Sequence, residues 1–202
     1  MLLKRGAEAD LWATEFLGRK AVAKRRTPRS YRHPLLDKDL RVARLKQEAK
    51  LIAEARRAGV TVPVIYDVDL ESGTLTLQWI AGPTLKEALQ NKDSPGEALL
   101  RRLGDSVGRL HARDVVHGDL TTSNVLVQED RLCLIDFSLG EKTPSLESKG
   151  VDLRLLREAL ESAHEDRERL FAAFVEGYKM SNPQADEVLN RMKEIQERAR
   201  YA

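Results

Sequence analysis

The sequence predicts an α+β fold in which a small five-stranded antiparallel sheet with one long helix precedes a mainly helical part. Three observations predict it. Short runs up to residue 80 alternate in hydrophobicity at the strand period, and later residues carry capping sequences and apolar stripes at helical spacing. Between them, the Ala-Gly-Pro run at residues 81–83 breaks both patterns, which is typical of a hinge. We therefore expect two lobes, residues 1–80 and 84–202, joined by this hinge.

The first 26 residues predict three short strands. The first begins at Leu2, the second alternates over residues 12–16, and the third covers residues 20–24 after a glycine-containing turn. Because side chains alternate along a strand, Val22 and Lys24 share one face of the third strand.

A long helix is predicted from about Asp37 to Ala58, with Gly59 as its left-handed C-terminal cap. Glu48 lies beside the apolar stripe of this helix, where it is a candidate ion-pair partner for Lys24. A solvated Glu48 bonded to Arg44, four residues earlier, is equally compatible with the spacing.

Two further strands, residues 60–68 and 74–80, complete the predicted sheet. Beyond the hinge, Thr84 and Ser94 each have a glutamate three residues later, the spacing of a capping box, and Pro95 is expected at the first position of the second helix. Apolar stripes predict the other helices, over residues 99–110, 151–160, 170–178 and 188–199.

The stretch of residues 115–138 carries three groups suited to phosphate and metal chemistry: Asp119, Asn124 and Asp136. Two apolar runs joined by residues 128–131 predict a β-hairpin between the last two groups. A hairpin brings its ends together, so we expect Asn124 and Asp136 side by side. Paired carboxylate and amide oxygens suit Mg²⁺, a hard cation.

The spacing H-x-D-x-x-x-x-N followed by D-F-S resembles the catalytic loop and metal-binding motif of the protein-kinase superfamily. The resemblance implies that Asp119 accepts the proton of the attacking hydroxyl or water. Asn124 and Asp136 would hold Mg²⁺, or Mn²⁺ as the alternative ion, on the phosphates of ATP. The competing interpretation makes Asp119 and Asn124 turn formers and Asp136 a strand end. Both motifs in order across a hairpin favour the catalytic interpretation.

The A-V-A-K run that ends at Lys24 resembles the kinase strand whose lysine holds the α- and β-phosphates, which makes Lys24 a catalytic candidate with Asp119. By the same resemblance Glu48 positions that lysine, and the residues from Gln78 to Ile80 read adenine. The loop at Gly6 has one glycine where ordinary protein kinases have three. The residues expected to contact ATP are Gly6, Val22, Lys24, Glu48, Gln78, Ile80, Leu126 and Ile135.

Further runs narrow the resemblance, over nearly the full length, to the small atypical kinase subunit of the KEOPS/EKC complex. They are Y-R-H-P at residues 31–34 with L-D at 36–37, R-x-x-x-E-A at 44–49, H-G-D-L-T-T-S-N at 117–124 and K-G-V-D-L at 149–153. This resemblance implies a reduced bilobal kinase fold that turns over Mg·ATP. Members of the family act largely as ATPases, and serine/threonine protein kinase activity is also ascribed to them.

The same resemblance implies partners. These are the threonylcarbamoyl-transferase subunit, which modifies adenosine 37 of ANN-decoding tRNAs, the other KEOPS subunits, and tRNA through the complex. Two departures from the family stand out. Ser138 replaces the usual glycine of the metal motif, which restricts that turn. Residues 197–202 keep two arginines but lack the fuller basic tail that is thought to touch tRNA.

The short passage after the metal motif bears on the choice of function. Only 15 residues separate Asp136 from Asp152, without an A-P-E run, which leaves little room for the peptide platform of a regulated protein kinase. This favours an ATPase or kinase subunit of a tRNA-modifying complex. The alternative is a free-standing small kinase of the RIO-like or aminoglycoside-phosphotransferase type, against which the Y-R-H-P run argues. A non-catalytic binding module is a third hypothesis, and the intact Asp119, Asn124 and Asp136 argue against it.

Composition narrows the classes of function further. With 34 basic and 32 acidic residues the net charge is +2, so no global charge drives the chain toward nucleic acid. The single cysteine, Cys133, lies in an apolar run and is interpreted as a buried thiol rather than a nucleophile. No apolar run is long enough to span a bilayer, and the N-terminus lacks the core of a signal peptide. We therefore expect a cytoplasmic protein with no membrane contact.

Overall fold

The computed structural model describes residues 1–6, 9–29, 33–91, 94–128, 131–163 and 166–200. The strands are β1 Leu2–Arg5, β2 Ala9–Phe16, β3 Arg19–Arg26, β4 Ile65–Asp69, β5 Thr74–Gln78, β6 Val115–Val116, β7 Val125–Gln128, β8 Arg131–Leu134 and β9 Glu141–Lys142. The helices are α1 Pro34–Arg57, α2 Leu85–Gln90, α3 Gly96–Ala112, α4 Leu146–Ala163, α5 Arg167–Ser181 and α6 Ala185–Arg200. The α+β class predicted from the sequence is confirmed.

The first five strands form one antiparallel sheet in the order β1-β2-β3-β5-β4, as the sequence predicts. Strand β3 is central, and Lys24 on it faces Leu11 of β2 and Leu75 of β5. Strand β4 begins five residues later than predicted. Val60 and Val62, which precede it, are buried in the core without strand pairing, and this explains their apolar character.

Helix α1 begins at Pro34, three residues before the predicted start, and ends at Arg57, two residues before the predicted cap Gly59. Proline is favoured in the first turn because it has no N–H to leave unsatisfied, and His33 before it is extended, with φ −59° and ψ 131°. Gly59 has φ +76°, the left-handed conformation expected of a helix C-terminus.

The helical part is built on two packed pairs, α3 with α5 and α4 with α6. Thr84 caps α2 with a complete capping box, as predicted. The second predicted box is wrong, because Pro95 has ψ 57° and is itself the residue before α3, which begins at Gly96 without a side-chain cap. No helix among the described ranges is long and apolar enough to cross a membrane.

Two small antiparallel pairs frame the polar stretch. The predicted hairpin is present as β7 and β8, with Val125 opposite Leu134 and Gln128 opposite Arg131. A second pair, β6 with β9, was not predicted; it joins Val115 to Lys142 and folds the segment after the metal motif back on the start of the catalytic loop.

Candidate active site

A buried ion-pair cluster connects the sheet to α1. Lys24 Nζ lies 2.6 Å from Glu48 Oε1, and the other carboxylate oxygen of Glu48 lies 2.8 Å from the Arg26 guanidinium. All three side chains are almost fully buried. Glu48 is therefore the partner of Lys24, as the first of the two interpretations predicts. Arg26 was not predicted, although its position two residues after Lys24 on β3 puts it on the same face.

Lys24 also reaches the metal motif. Its Nζ lies 2.7 Å from Asp136 Oδ1, which also accepts a 2.6 Å hydrogen bond from the Ser138 hydroxyl. Asp136 has φ +65°, an uncommon conformation for a residue other than glycine. Burial raises the pKa of Asp136, but the Lys24 ammonium and the hydrogen bonds from Lys24 and Ser138 outweigh it and hold that pKa at about 2. Asp136 is thus a firmly ionised carboxylate.

The catalytic loop is closed by Asn124. Its side-chain amide donates to the backbone oxygen of Asp119 at 2.9 Å and to Asp119 Oδ2 at 2.7 Å. Ile135, at the end of the hairpin, donates its N–H to the backbone oxygen of Asn124 at 3.0 Å. The hairpin therefore brings Asn124 beside the metal motif, as predicted, and Asn124 in turn orients Asp119.

Asp152, on the buried face of α4, holds this loop and was not predicted as a site residue. It is fully buried, and its carboxylate accepts N–H groups from His117 at 2.7 Å and Gly118 at 2.8 Å. Gly118 has φ +82°, and a Cβ there would overlap the Leu139 carbonyl oxygen, so the loop approaches the next segment as closely as a backbone can. Asp152 belongs to the K-G-V-D-L run, which supports the family resemblance but does not indicate what Asp152 does.

His117 is a structural member of the loop. Its Nε2 lies 3.0 Å from the Ile135 carbonyl oxygen, and its Nδ1 accepts the Asp119 N–H at 3.3 Å. These partners require a proton on Nε2 and none on Nδ1. Burial lowers the pKa of His117 below its ordinary value, so the ring stays neutral and links Asp119 to the hairpin.

A cavity of about 320 Å³ opens between the sheet and the hairpin. Val22, Leu77, Leu126 and Ile135 give it apolar walls, and the polar groups of Lys24, Glu48, Asn124 and Asp136 lie together along it. Seven of the eight residues expected to contact ATP line it: Val22, Lys24, Glu48, Gln78, Ile80, Leu126 and Ile135. Trp79, within the run from Gln78 to Ile80 expected to read adenine, lines it as well. Sequence reasoning missed the other lining residues, Leu3, Lys4, Leu11, Pro63, Leu77 and Ser123.

Two predicted features lie elsewhere. Gly6 is outside the lining of the cavity and donates its N–H to the Ala9 carbonyl oxygen at 3.1 Å. Cys133 is fully buried in β8, and burial raises the pKa of its thiol to about 12, as expected of a structural cysteine. A larger cavity, about 580 Å³, lies at the N-terminal ends of α3 and α5, and none of the predicted site residues lines it.

Parts of the family motifs lie outside the described residues. Tyr31 and Arg32 of the Y-R-H-P run and the last two residues, 201 and 202, belong to these parts. The described end of the run, His33 and Pro34, forms the start of α1.

Comparison with known sequences places the chain among kinase-like proteins. The family model for the lipopolysaccharide kinase (Kdo/WaaP) family matches residues 11–178. A probable bifunctional tRNA threonylcarbamoyladenosine biosynthesis protein of Methanosarcina mazei is 43% identical over 202 residues, which are 100% of this chain and 36% of that protein. The EKC/KEOPS complex subunit bud32 of Dictyostelium discoideum is 34% identical over 208 residues, covering 99% of this chain and 82% of that protein.

The archaeal bifunctional relatives are longer than this chain, which spans about 36% of the length of the Methanosarcina mazei protein. Among solved structures, WaaP in complex with acyl carrier protein matches 98% of this chain and 87% of its own with a TM-score of 0.64. At 19% identity that likeness concerns the fold alone.

Proposed function

The chain belongs to the kinase-like family of the EKC/KEOPS complex subunit bud32, and on that premise we propose that it binds Mg·ATP and hydrolyses it or transfers its γ-phosphate in support of tRNA threonylcarbamoyladenosine biosynthesis. Residues 1–80 and 84–202 would act as the two lobes of a reduced kinase, hinged at residues 81–83. A phosphotransferase or ATPase role follows from the kinase-like family. More specifically, we propose that the phosphate acceptors include serine and threonine side chains of proteins.

One observation carries the proposal: Lys24 Nζ contacts carboxylates from α1 and from the metal motif at 2.6 and 2.7 Å on the wall of a 320 Å³ cavity. Stability alone does not account for such a cluster, because buried ion pairs are often no more stabilising than apolar residues of similar volume. Within the cluster, Asp136 has a pKa held at about 2, and a carboxylate with a perturbed pKa in a cleft is typical of a functional site. Lys24 would hold the α- and β-phosphates there, with Glu48 fixing its position.

The donor set fits a magnesium ion. The described contacts of Asp136, from Lys24 and Ser138, go to Oδ1, which leaves Oδ2 for a cation. Asn124 uses its NH₂ group toward Asp119, so its amide oxygen is the free end. Hard oxygens of these two kinds suit Mg²⁺ or Mn²⁺. The bound ion would neutralise charge on the phosphates of ATP.

Asp119 is the proposed base. Its Oδ2 accepts from Asn124, which orients the carboxylate, and its backbone N–H donates to His117, which holds the main chain at this residue. The free oxygen would accept the proton of the attacking water or hydroxyl. Positioned proton transfer of this kind contributes about 10²- to 10⁴-fold to rate.

The cavity suits a purine. Ligand sites are commonly apolar clefts of about 300 to 1,000 Å³ with a few placed polar groups. The backbone between Gln78 and Ile80 borders this one, and the walls at Val22, Leu126 and Ile135 would lie against the faces of the adenine ring.

The decisive experiment compares the purified chain with Asp119→Ala. Wild-type protein should hydrolyse ATP in the presence of Mg²⁺, and Asp119→Ala should lower kcat about a hundredfold or more while calorimetry shows ATP binding little changed. Parental turnover by Asp119→Ala contradicts the assignment of the base. Loss of nucleotide binding in that variant contradicts its role as a residue that acts only on the chemical step.

Membership in the complex is tested separately. The proposed partners are the threonylcarbamoyl-transferase subunit and the other KEOPS subunits, with tRNA bound through the complex. The names of the archaeal and Dictyostelium relatives support them. The ATPase rate should change when the transferase subunit is added. No binding and no change of rate would favour the second candidate, a free-standing small kinase, which the match to the lipopolysaccharide kinase family supports.

A further inference from the structure

A chain of four buried polar side chains runs from the end of α5 to the catalytic loop. It consists of Asn182, Tyr178, His111 and Asp152, and each is at most 3% exposed. The contacts are Asn182 Nδ2 to Tyr178 Oη at 2.5 Å, Tyr178 Oη to His111 Nδ1 at 2.8 Å, and His111 Nε2 to Asp152 Oδ2 at 3.3 Å. The catalytic role assigned to Asp119 does not by itself require the first three residues.

The direction of the hydrogen bonds is fixed at the α5 end. The Gln184 N–H donates to Asn182 Oδ1 at 3.0 Å, and a backbone N–H can only donate, so the oxygen of the Asn182 amide must face it. The NH₂ group of Asn182 then faces Tyr178 and donates to it. Because the Tyr178 oxygen accepts this bond, its own hydrogen is directed to His111 Nδ1.

This direction selects one protonation form of His111. Nδ1 accepts from Tyr178, so the single ring proton is on Nε2, where it is donated to Asp152. A doubly protonated ring would place two N–H donors on the Tyr178 oxygen and leave the tyrosine hydrogen with no acceptor among the described residues. An unsatisfied buried donor is costly, which disfavours that form.

Asp152 is the last member of this series of hydrogen bonds and the one that contacts the catalytic loop. Its carboxylate accepts N–H groups from His111, His117 and Gly118, and the last two are the residues immediately before Asp119. We propose that Tyr178 is a positioning residue for the catalytic loop: it fixes the Nε2-protonated neutral form of His111, which orients Asp152 and, through Asp152, the backbone that carries Asp119. The proposal rests on the proposed function only in that Asp119 is taken to be the catalytic base.

The test removes one oxygen atom with Tyr178→Phe and compares it with Tyr66→Phe, a partly buried tyrosine that stacks on Phe16 outside the chain of hydrogen bonds. Long-range ¹H–¹⁵N spectra of histidine-labelled protein should show wild-type His111 as a neutral ring protonated on Nε2. In Tyr178→Phe this signature should give way to mixed or doubly protonated forms. In Tyr66→Phe it should be unchanged.

Hydrogen exchange provides the second readout. Losing one buried hydrogen bond should speed local exchange of the His117 and Gly118 amides about threefold to tenfold in Tyr178→Phe but not in Tyr66→Phe. Under the proposed function, kcat for ATP should fall by a similar factor at unchanged KM. If wild-type protein shows no ATP turnover, the proposed function fails, while the spectra and exchange rates still decide the role of Tyr178.

Asn182→Asp tests the donor-to-acceptor direction of the hydrogen bonds from Asn182 to His111. A carboxylate there can only accept, so Tyr178 should turn its hydrogen toward it and His111 should become a donor at Nδ1. A wild-type ring that is doubly protonated or protonated on Nδ1 overturns the inference. Unchanged His111 spectra and amide exchange in Tyr178→Phe also overturn it. Should Asn182→Asp fail to fold, Tyr178→Phe and the wild-type spectrum remain sufficient.

Discussion

Lys24 contacts two carboxylates that come from distant parts of the chain, Glu48 and Asp136. We expect Lys24→Met to lower kcat/KM for ATP about a hundredfold, because a cation aimed at developing phosphate charge is lost from a buried site. Steady-state kinetics with Mg·ATP measures it. Lys20→Met, an exposed lysine on the same strand, is the matched control and should keep the parental kinetics. Unchanged kinetics in Lys24→Met would exclude the phosphate-binding role.

Cys133 should be inert in the folded protein. It is fully buried and its thiol has a pKa of about 12, so the reactive thiolate is scarce up to strongly alkaline pH. A chromogenic disulfide reagent at pH 8 should release almost no product from native protein. In denaturing urea it should release one equivalent. Stoichiometric reaction of the native protein within minutes would contradict the burial of this side chain.

The polar residues of the site could be predicted because local spacing encodes them. Asp119, Asn124 and Asp136 occupy a fixed pattern across one hairpin, and the A-V-A-K run marks Lys24. Asp152 could not be assigned a role in this way, since its partners precede it by 34 and 35 residues and only the folded chain brings them together. The spacing also left open whether Glu48 is paired or solvated. The buried contact with Lys24 decides it.

Two helices of the helical part approach each other at glycines. An added Cβ at Gly104 of α3 would overlap the Phe174 carbonyl oxygen, and one at Gly177 of α5 would overlap the Arg101 carbonyl oxygen. The two backbones are therefore nearly in contact. Tyr178 follows Gly177 directly, so this approach also places it beside His111 of α3.

Gly104→Ala tests this packing. In an isolated helix the change would stabilise by about 1 kcal/mol, but here the overlap with Phe174 should lower the free energy of unfolding by about 3 kcal/mol. Urea unfolding measures it. Ser106→Ala, on the opposite side of α3, should stay within about 0.5 kcal/mol of wild type. A stabilised Gly104→Ala would mean that α3 and α5 are not closely packed at this point.

At the scale of elements, the sequence marks interiors better than ends. The apolar stripes that predicted α4, α5 and α6 cover their buried faces, whereas the observed helices extend by three to five residues at their N-terminal ends through polar turns that carry no periodic pattern. The two-residue strands β6 and β9 are too short for any alternation to be visible. Glycines 104 and 177 pack as part of the core, but an apolar-stripe criterion does not count them.

At the scale of the whole molecule, polar contacts among the described residues connect the sheet and α1 to the segment of residues 136–142. Besides Lys24 with Asp136, Gln47 donates to the Gly140 carbonyl oxygen at 2.6 Å and Lys142 pairs with Glu54 at 2.9 Å. The proposed metal ligand Asp136 thus also connects the sheet to the segment that follows the hairpin. A ligand that engages it acts on both parts of the chain at once, so nucleotide binding should be visible in global stability.

Mg·ATP should raise the melting temperature, because it would bind where Asp136 connects the two parts of the fold. At a hundred times its Kd, a ligand that binds only the folded state adds about 2.7 kcal/mol, which for a chain of 202 residues corresponds to about 5 to 10 °C. Thermal scans with ATP, with and without Mg²⁺, separate the contribution of the metal. Asp136→Asn should lose the Mg²⁺-dependent part of the shift, because an amide replaces the carboxylate that would bind the ion. Asp39→Asn, at an exposed position of α1, should retain the full shift. If Asp136→Asn also retained it, the metal would have to bind through other oxygens, and Asp136 would keep only its contacts with Lys24 and Ser138.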